Sequence, residues 1–480
     1  MGRAVFLLSL AAFASAASLR ATDPLLPQIA DHYGVTTGAA SAAITAFALS
    51  YGLLQVVCGP LGDRFGRYRT IAAAALVSAF GSAACALAPT LESLVAARFV
   101  SGATIGAFIP LALAWIGDTV VYEQRQPLLA RFLVGQMAGV AFGNAAAGWL
   151  GEHFGWRAIF MALSALLLLI TILLFTEIRT NPLARAGSGK PGAMRESFRR
   201  MPGMLSDSRL RKLFATAYFE GLLIFGALAF VAAYFQSRFA IGPGLAGTLV
   251  AAYALGGICY ALLARRAVRR LGERGLVSAG GVALFVRYCG LAIAGSPSAG
   301  TLAIGLVGAG FYRLHTTVQI HVTQVRPEER GSAVALFATF LFLGQASGVW
   351  LAARIVDAAG APPVFLCAAL GLAGAGRGVP LLLVGRRRDV ARRSVGAAAE
   401  EVALGLLHEV LARALVGEVE AVLVHQHGLL LEPLRPGFLG NVLPDALAEV
   451  ARVRWEIEAI GFAAELDALH GSCHREIIGV

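Results

Sequence analysis

Hydrophobic positions along this chain come in long runs, not as a helical stripe or a strand alternation. Mostly apolar stretches cover residues 4–20, 38–58, 71–88, 93–116, 130–151 and 156–175. A polar, basic segment follows at 177–211, and six further stretches cover 212–235, 243–263, 276–295, 299–321, 332–354 and 363–384. An α-helix crossing hydrocarbon needs about 20 such residues, because its backbone must satisfy its own hydrogen bonds there. The pattern predicts an all-α, polytopic membrane protein with twelve transmembrane helices in two six-helix halves. Met1-Gly2-Arg3, the apolar run and Ala14-Ser15-Ala16 also fit a cleavable signal peptide. Cleavage would leave eleven spans and break the six-plus-six pattern, so a retained helix is expected.

Composition agrees with burial in lipid. Hydrophobic residues make up 57% of the chain and charged ones 14%, against roughly 25% charged in soluble domains. A net charge of +11 raises the question of nucleic acid, but the placement of the charges answers it. Alternate connections are basic, with Arg64, Arg67 and Arg69, then Arg125 and Arg131, then Arg179 to Lys212. The second half repeats this with Arg265 to Arg274, Arg326 and Arg330, and Arg386 to Arg393. The intervening connections hold chiefly Arg20, Arg157 and Arg238. Basic loops stay in the cytoplasm, so both termini are expected there, in a bacterial-type inner (plasma) membrane, with no nucleic acid required.

The expected domains are an N-terminal six-helix half (1–176), a cytoplasmic linker (177–211), a C-terminal half (212–385) and a cytoplasmic extension (386–480). Two similar halves suggest a duplication about an axis along the membrane normal. The extension carries 14 of the 29 acidic residues and 10 of the 40 basic ones, with apolar runs too short to span. Its role is open: a small domain, a surface element or a non-native extension all fit. The six cysteines are scattered singly, and the histidines have no metal-site spacing. No metal or cofactor is expected.

The connection after the second span reads Gly59-Pro60-Leu61-Gly62-Asp63-Arg64-Phe65-Gly66-Arg67-Tyr68-Arg69. Its glycines permit tight turns and close helix approach, and Asp63 can sit against a helix N-terminus. This run closely resembles the G-x-L-x-D-R-x-G-R signature of the major facilitator superfamily, at the connection where that family carries it. The resemblance implies a conformational gate made by Gly59, Gly62, Asp63, Arg64, Gly66 and Arg67. In the family the aspartate meets the start of the eleventh span, here Gly331-Ser332-Ala333, and stabilises the outward-open state. The matching loop of the second half, Arg265 to Arg274, keeps the charge but lacks the Asp-Arg pair. Leu94-x-x-x-Arg98-x-x-Ser101-Gly102 is similar to the family's second signature, and the resemblance implies a part for Arg98 in proton coupling. A structural or snorkelling arginine is the competing reading.

Span five departs from the drug–proton antiporter pattern. Gly135, Gly139 and Gly143 recur every four residues as a packing face, but no proline follows. Gln136 is a substrate-cavity candidate, or else a polar packing contact. Glu220 in span seven is the acidic residue that lies well inside a predicted span, a functional hypothesis by default. It is the first candidate for proton coupling, against a structural ion pair. Span ten is polar, with Arg313, Thr316 and Thr317 on one face and His315 and Gln319 on an adjoining one. The stretch running from it through Thr323-Gln324-Val325-Arg326-Pro327-Glu328-Glu329-Arg330-Gly331 resembles the arabinose-efflux-like branch of the family. His315 titrates near neutrality and could relay protons or bind substrate; Arg313 and Gln319 are further cavity candidates. The role of Arg287 in span nine is open. Asp23, in Asp23-Pro24-Leu25-Leu26-Pro27, is expected at the interface in a solvated structural role.

The expectation is therefore a non-enzymatic, monomeric secondary transporter of major facilitator type that exports a small molecule against protons. A sugar or metabolite permease with another coupling mode, and a non-transporting sensor signalling through its tail, are the alternatives. No Walker A sequence is present in the chain, which disfavours ATP-driven transport.

Overall fold

The computed structural model describes residues 2–120, 122–185, 193–326 and 329–373. The extension at 386–480 lies outside the described residues. In the first half, α1 is Gly2–Arg20, α2 Ala42–Phe65, α3 Arg67–Leu87, α4 Leu91–Thr119, α5 Tyr122–Phe154 and α6 Arg157–Thr180. A linker helix, Ala193–Ser206, precedes α7 at Ser208–Phe239. Then come α8 (Pro243–Ala264), α9 (Gly280–Ala292), α10 (Pro297–Val325), α11 (Arg330–Ala359) and α12 (Pro362–Ala373). Among the described residues every predicted span therefore has a helix, the twelfth as far as Ala373. Eight helices among the described residues are long and apolar enough to cross a membrane, and Gly280–Ala292 and Pro362–Ala373 are shorter apolar stretches. The two remaining helices, α5 and α10, measure 33 and 29 residues, a sufficient length at 1.5 Å per residue.

Helical backbone runs without a break from Ala252 to Ala292, where two spans are expected. Glycine contacts show that it doubles back. A Cβ on Gly308 would lie 1.9 Å from the Tyr253 carbonyl, and one on Gly310 would lie 2.9 Å from Leu284. A straight helix would separate residues 253 and 284 by about 46 Å, whereas their partners Gly308 and Gly310 are close neighbours on α10. So α8 and α9 both flank α10, as two antiparallel crossings would.

Lipid offers no hydrophobic drive between helices, so close backbone packing has to hold them. Gly135, Gly139 and Gly143 of α5 lie on Ser9, Phe13 and Ala17 of α1, where added Cβ atoms would approach the carbonyls to 3.2, 2.3 and 2.5 Å. Gly344 and Gly348 of α11 lie on Tyr218 and Leu222 of α7 in the same way. Gly139 and Gly143 are thus matched in the second half by Gly344 and Gly348, both shifted along the chain by one and the same interval. Gly102 on Phe47 and Gly308 on Tyr253 form a second repeated pair, whose glycines and partners share an interval only one position longer. One packing scheme serves both halves. Apolar side chains such as Phe80, Leu262 and Ile293 point outward, each at least two-thirds exposed, a surface suited to lipid and costly in water.

Gly139→Ala is expected to lower stability in detergent by about 1–3 kcal/mol, because the new methyl meets backbone that cannot move aside. Gly117→Ala, with open space around it, serves as the control. Thermal unfolding of both variants checks this, and equal midpoints would refute the packing account.

Candidate functional site

A cavity of about 560 Å³ lies among helices of both halves. Its deep wall is formed by Arg20 of α1, Tyr51 and Gln55 of α2, Phe225 of α7, Tyr253 of α8, and Phe311, Tyr312 and His315 of α10. Asp63, Arg67, Gly331 and Ser332 line the other end, with Met201 of the linker helix. Gln136 and Gln319 line it too.

The first half supplies a buried charge cluster. Helix α1 ends at Arg20, and a 3₁₀ turn at Asp23–Leu25, with Pro24 early in the turn, redirects the chain. That turn folds Asp23 back, and Arg20 Nη1 donates to Asp23 Oδ2 at 3.1 Å with both side chains fully buried. The Arg20 guanidinium also stacks on the Phe225 ring of the other half, 4.7 Å from its centroid. Asp23 Oδ1 has no hydrogen-bond partner. Nearby, Arg98 Nη1 donates to the Ser18 carbonyl at 3.1 Å and Nε to that of Ala43 at 3.4 Å. Its guanidinium lies 3.9 Å over Phe47. Carbonyl dipoles and a ring face thus hold Arg98.

The second half supplies a different pair. Glu220 ends the regular part of α7, and residues Gly221–Phe225 form a π-helical turn, a feature that concentrates at functional sites. Gly221 lets α7 approach α11 there, since a Cβ would stand 1.9 Å from the Leu341 carbonyl. Glu220 is 1% exposed, and its Oε2 lies 2.8 Å from His315 Nδ1. Rings of Phe311 and Phe337, 4.8 and 5.0 Å away, hold the imidazole between them. Glu220 Oε1 has no hydrogen-bond partner. Both pairs have one arrangement in common: the nitrogen base lines the cavity, and the carboxylate sits behind it.

At the connection between α2 and α3, Gly66 takes φ +90, a value that favours glycine. Gly62 packs on Leu111, where a Cβ would come within 2.5 Å. Arg67 bonds Asp63 at 3.1 Å, the Ala114 carbonyl at 2.7 Å, and Asp118. Arg64 stacks on Phe65, and Gly59 faces open space. Asp63 therefore bonds within its own half, while Gly331 at the start of α11 has open space beside it.

The family model described as Major Facilitator Superfamily matches residues 8–325. The chain belongs to this superfamily. It is 23% identical over 287 residues to the MFS-type transporter YwfA of Bacillus subtilis, covering 59% of this chain and 68% of that one. It is 24% identical over 345 residues to a homolog of the multi-drug resistance efflux pump PmrA from Lactococcus lactis, covering 70% and 84%. The crystal structure of the nucleoside transporter NupG superposes with a TM-score of 0.61 at 14% identity, over 79% of this chain and 99% of that one, a likeness of fold. The protein is a superfamily transporter, not an enzyme.

Glu220 and His315 come together from different helices, α7 and α10; Arg98 joins neither and belongs to the Asp23 cluster. Gln136 and Gln319 line the cavity. Arg313 does not: it faces α8 and α9, with its guanidinium 5.9 Å from the Tyr260 ring and its stem beside Gly280. Two expectations are corrected. Asp23 is completely buried, not solvated, and Arg20 is a wall residue of the cavity, not part of a surface connection. A buried charge needs a partner, and an arginine three residues before an aspartate was the available signal.

Asp23→Asn leaves Arg20 buried without its counter-charge and is expected to cost about 3–5 kcal/mol of stability. The Arg20→Gln/Asp23→Asn double variant should recover part of that loss. Unfolding in detergent measures both, and an Asp23→Asn variant as stable as the parent would contradict the pairing.

Proposed function

We propose that this transporter is proton-coupled, that it exports its substrate by alternating access, and that Glu220 carries the coupling proton. The observation behind this is the pairing of Glu220 with His315, a wall residue of a cavity flanked by both halves. A carboxylate in an apolar wall changes charge on taking up a proton, and that change can be passed through His315 to whatever occupies the cavity. Arg98 enters through its field on Asp23, and Arg20 joins that cluster to the cavity. Export is supported by the likeness to an efflux pump homolog, and a cytoplasmic location of both termini by the alternation of basic connections. With that orientation the cavity mouth at Asp63 and Arg67 is the cytoplasmic one, and Gly59, Gly62, Asp63, Arg64, Gly66 and Arg67 form the gate that closes it. Residues 1–176 and 212–385 are the rocking bodies, and 177–211 joins them. The protein acts as a monomer, and the segment at 386–480 is cytoplasmic.

The cavity wall also bears on the substrate. Deep in it, Arg20 and His315 offer nitrogen donors, and Phe225, Tyr253, Phe311 and Tyr312 offer ring faces. Such a lining favours a molecule with an aromatic ring and an anionic or hydrogen-bond-accepting group over a lipophilic cation.

Proteoliposomes with an imposed pH gradient test this reading against a panel of isosteric aromatic carboxylates, amides and ammonium compounds. Wild type should move carboxylates or amides in response to the gradient. Glu220→Gln should lose at least tenfold of gradient-driven flux yet keep substrate exchange without a gradient. Full gradient-driven transport by that variant would remove Glu220 from coupling, and preference for the ammonium compounds would reverse the substrate assignment.

A further inference from the structure

At the end of the bundle opposite Asp63 the halves are joined by Gln236 Nε2, which donates to the Pro24 carbonyl at 2.8 Å, and by two carboxylates whose contacts repeat one another across the halves. Asp357, near the end of α11, accepts the Gly38 N–H on Oδ1 at 2.9 Å and the Thr36 hydroxyl on Oδ2 at 2.7 Å. Glu152, near the end of α5, accepts the Gly244 N–H on Oε2 at 2.8 Å. Gly38 opens the helical segment Thr37–Phe65, and Gly244 the segment Pro243–Ala264. Each N–H is thus a first-turn donor with no partner inside its own helix. Each bond joins one half to the other.

The two bonds occupy equivalent places in the repeat. Glu152 stands to Asp357 along the chain as Gly139 stands to Gly344, and Gly38 stands to Gly244 as Gly102 stands to Gly308. The carboxylates and their glycine partners are therefore related by the same intervals as the packing contacts within the halves. Gly38 is required by the approach, since a Cβ there would stand 2.5 Å from the Ala353 carbonyl as well as against Asp357; at Gly244 a Cβ would stand 2.4 Å from Glu152 Oε2, the movable end of a side chain. Asp357 and Glu152 are themselves exposed, so water can replace each bond when it breaks. At the other end Asp63 is turned to Arg67, and Gly331 near the start of α11 has open space beside it.

We infer that Asp357 and Glu152 are paired latches of the transport cycle, each closing this end of the cavity by holding a helix start of the opposite half, and each released when the Asp63 end closes. The inference rests on the alternating-access reading but not on the coupling residue or the substrate. Neither carboxylate lines the cavity, so both act on the position of the helices and not on the cargo. A charge-assisted hydrogen bond is strong enough that losing one latch should raise the fraction open at this end roughly tenfold. Losing both should raise it multiplicatively, since the two sites share no residue.

Spin labels at Asp31→Cys and Arg238→Cys, on a background without the native cysteines, report the separation across this end by pulsed electron resonance. In the full-length protein in nanodiscs, a single short distance should dominate. Asp357→Ala and Glu152→Ala should each add a longer-distance population, and the double variant should make it the majority. Gly38→Ala should do the same by steric exclusion against the Ala353 carbonyl with both carboxylates intact, which keeps the test available if a carboxylate variant folds poorly. Thermal unfolding run in parallel separates gating from mere support, since a structural role would lower the midpoint without moving the distances. An unchanged distance distribution in the folded double variant would overturn the inference. So would a shift from one latch alone, because the repeat requires both. A failure of Glu220→Gln to affect transport would leave the distance result standing.

Discussion

Close approach of backbone to backbone is the constraint on which this structure depends. In lipid the exclusion of water contributes nothing to helix association, so contact has to come from surfaces that fit. Glycine provides the flattest surface, and its α-hydrogens can rest on a neighbouring carbonyl. The α1–α5 and α7–α11 contacts follow that rule with the same spacing, as do α2–α4 and α8–α10. The cost of glycine in a helix interior is accepted because a larger residue would separate the helices and open the cavity walls.

Charge is then placed against this apolar frame in a consistent way. Arg20 and His315 face the cavity, and Asp23 and Glu220 stand behind them. Each ionisable group thus meets an opposite partner in a medium that penalises isolated charge. The two pairs differ in kind. A guanidinium remains charged through the physiological range, while an imidazole near a carboxylate can exchange a proton. One half provides a guanidinium and the other an imidazole.

Much of the fold was legible in the sequence because its signals are local. Each span announces itself by length and apolarity, and the Gly59–Arg69 run carries the family on a few adjacent residues. Glu220 stood out because a lone carboxylate in an apolar run has few harmless explanations. Its partner could not be read the same way, since His315 lies three helices further along the chain and only packing joins the two. The burial of Arg20 and Asp23 was hidden for a related reason. They follow an apolar run and precede prolines, as an interfacial turn does, and the depth of that turn depends on helices distant in the chain. Arg313 shows the limit of helical periodicity. It groups residues into faces, but not which face looks at a cavity and which at the next helix.

The repeat has one further consequence for the cavity. Arg20 and Phe225 are separated along the chain by the same interval as Gly139 and Gly344, so they are equivalent positions of the two halves. The guanidinium of one stacks on the ring of the other. Ser15 stands in the same relation to Glu220. The walls are therefore nearly two-fold in shape while their chemistry is one-sided. A ligand that is itself asymmetric has a single polarity of fit, with one end toward the guanidinium and the other toward the imidazole–carboxylate pair. The direction in which a ligand sits thus comes from a few side chains laid on a frame that, by its backbone alone, would accept it either way round.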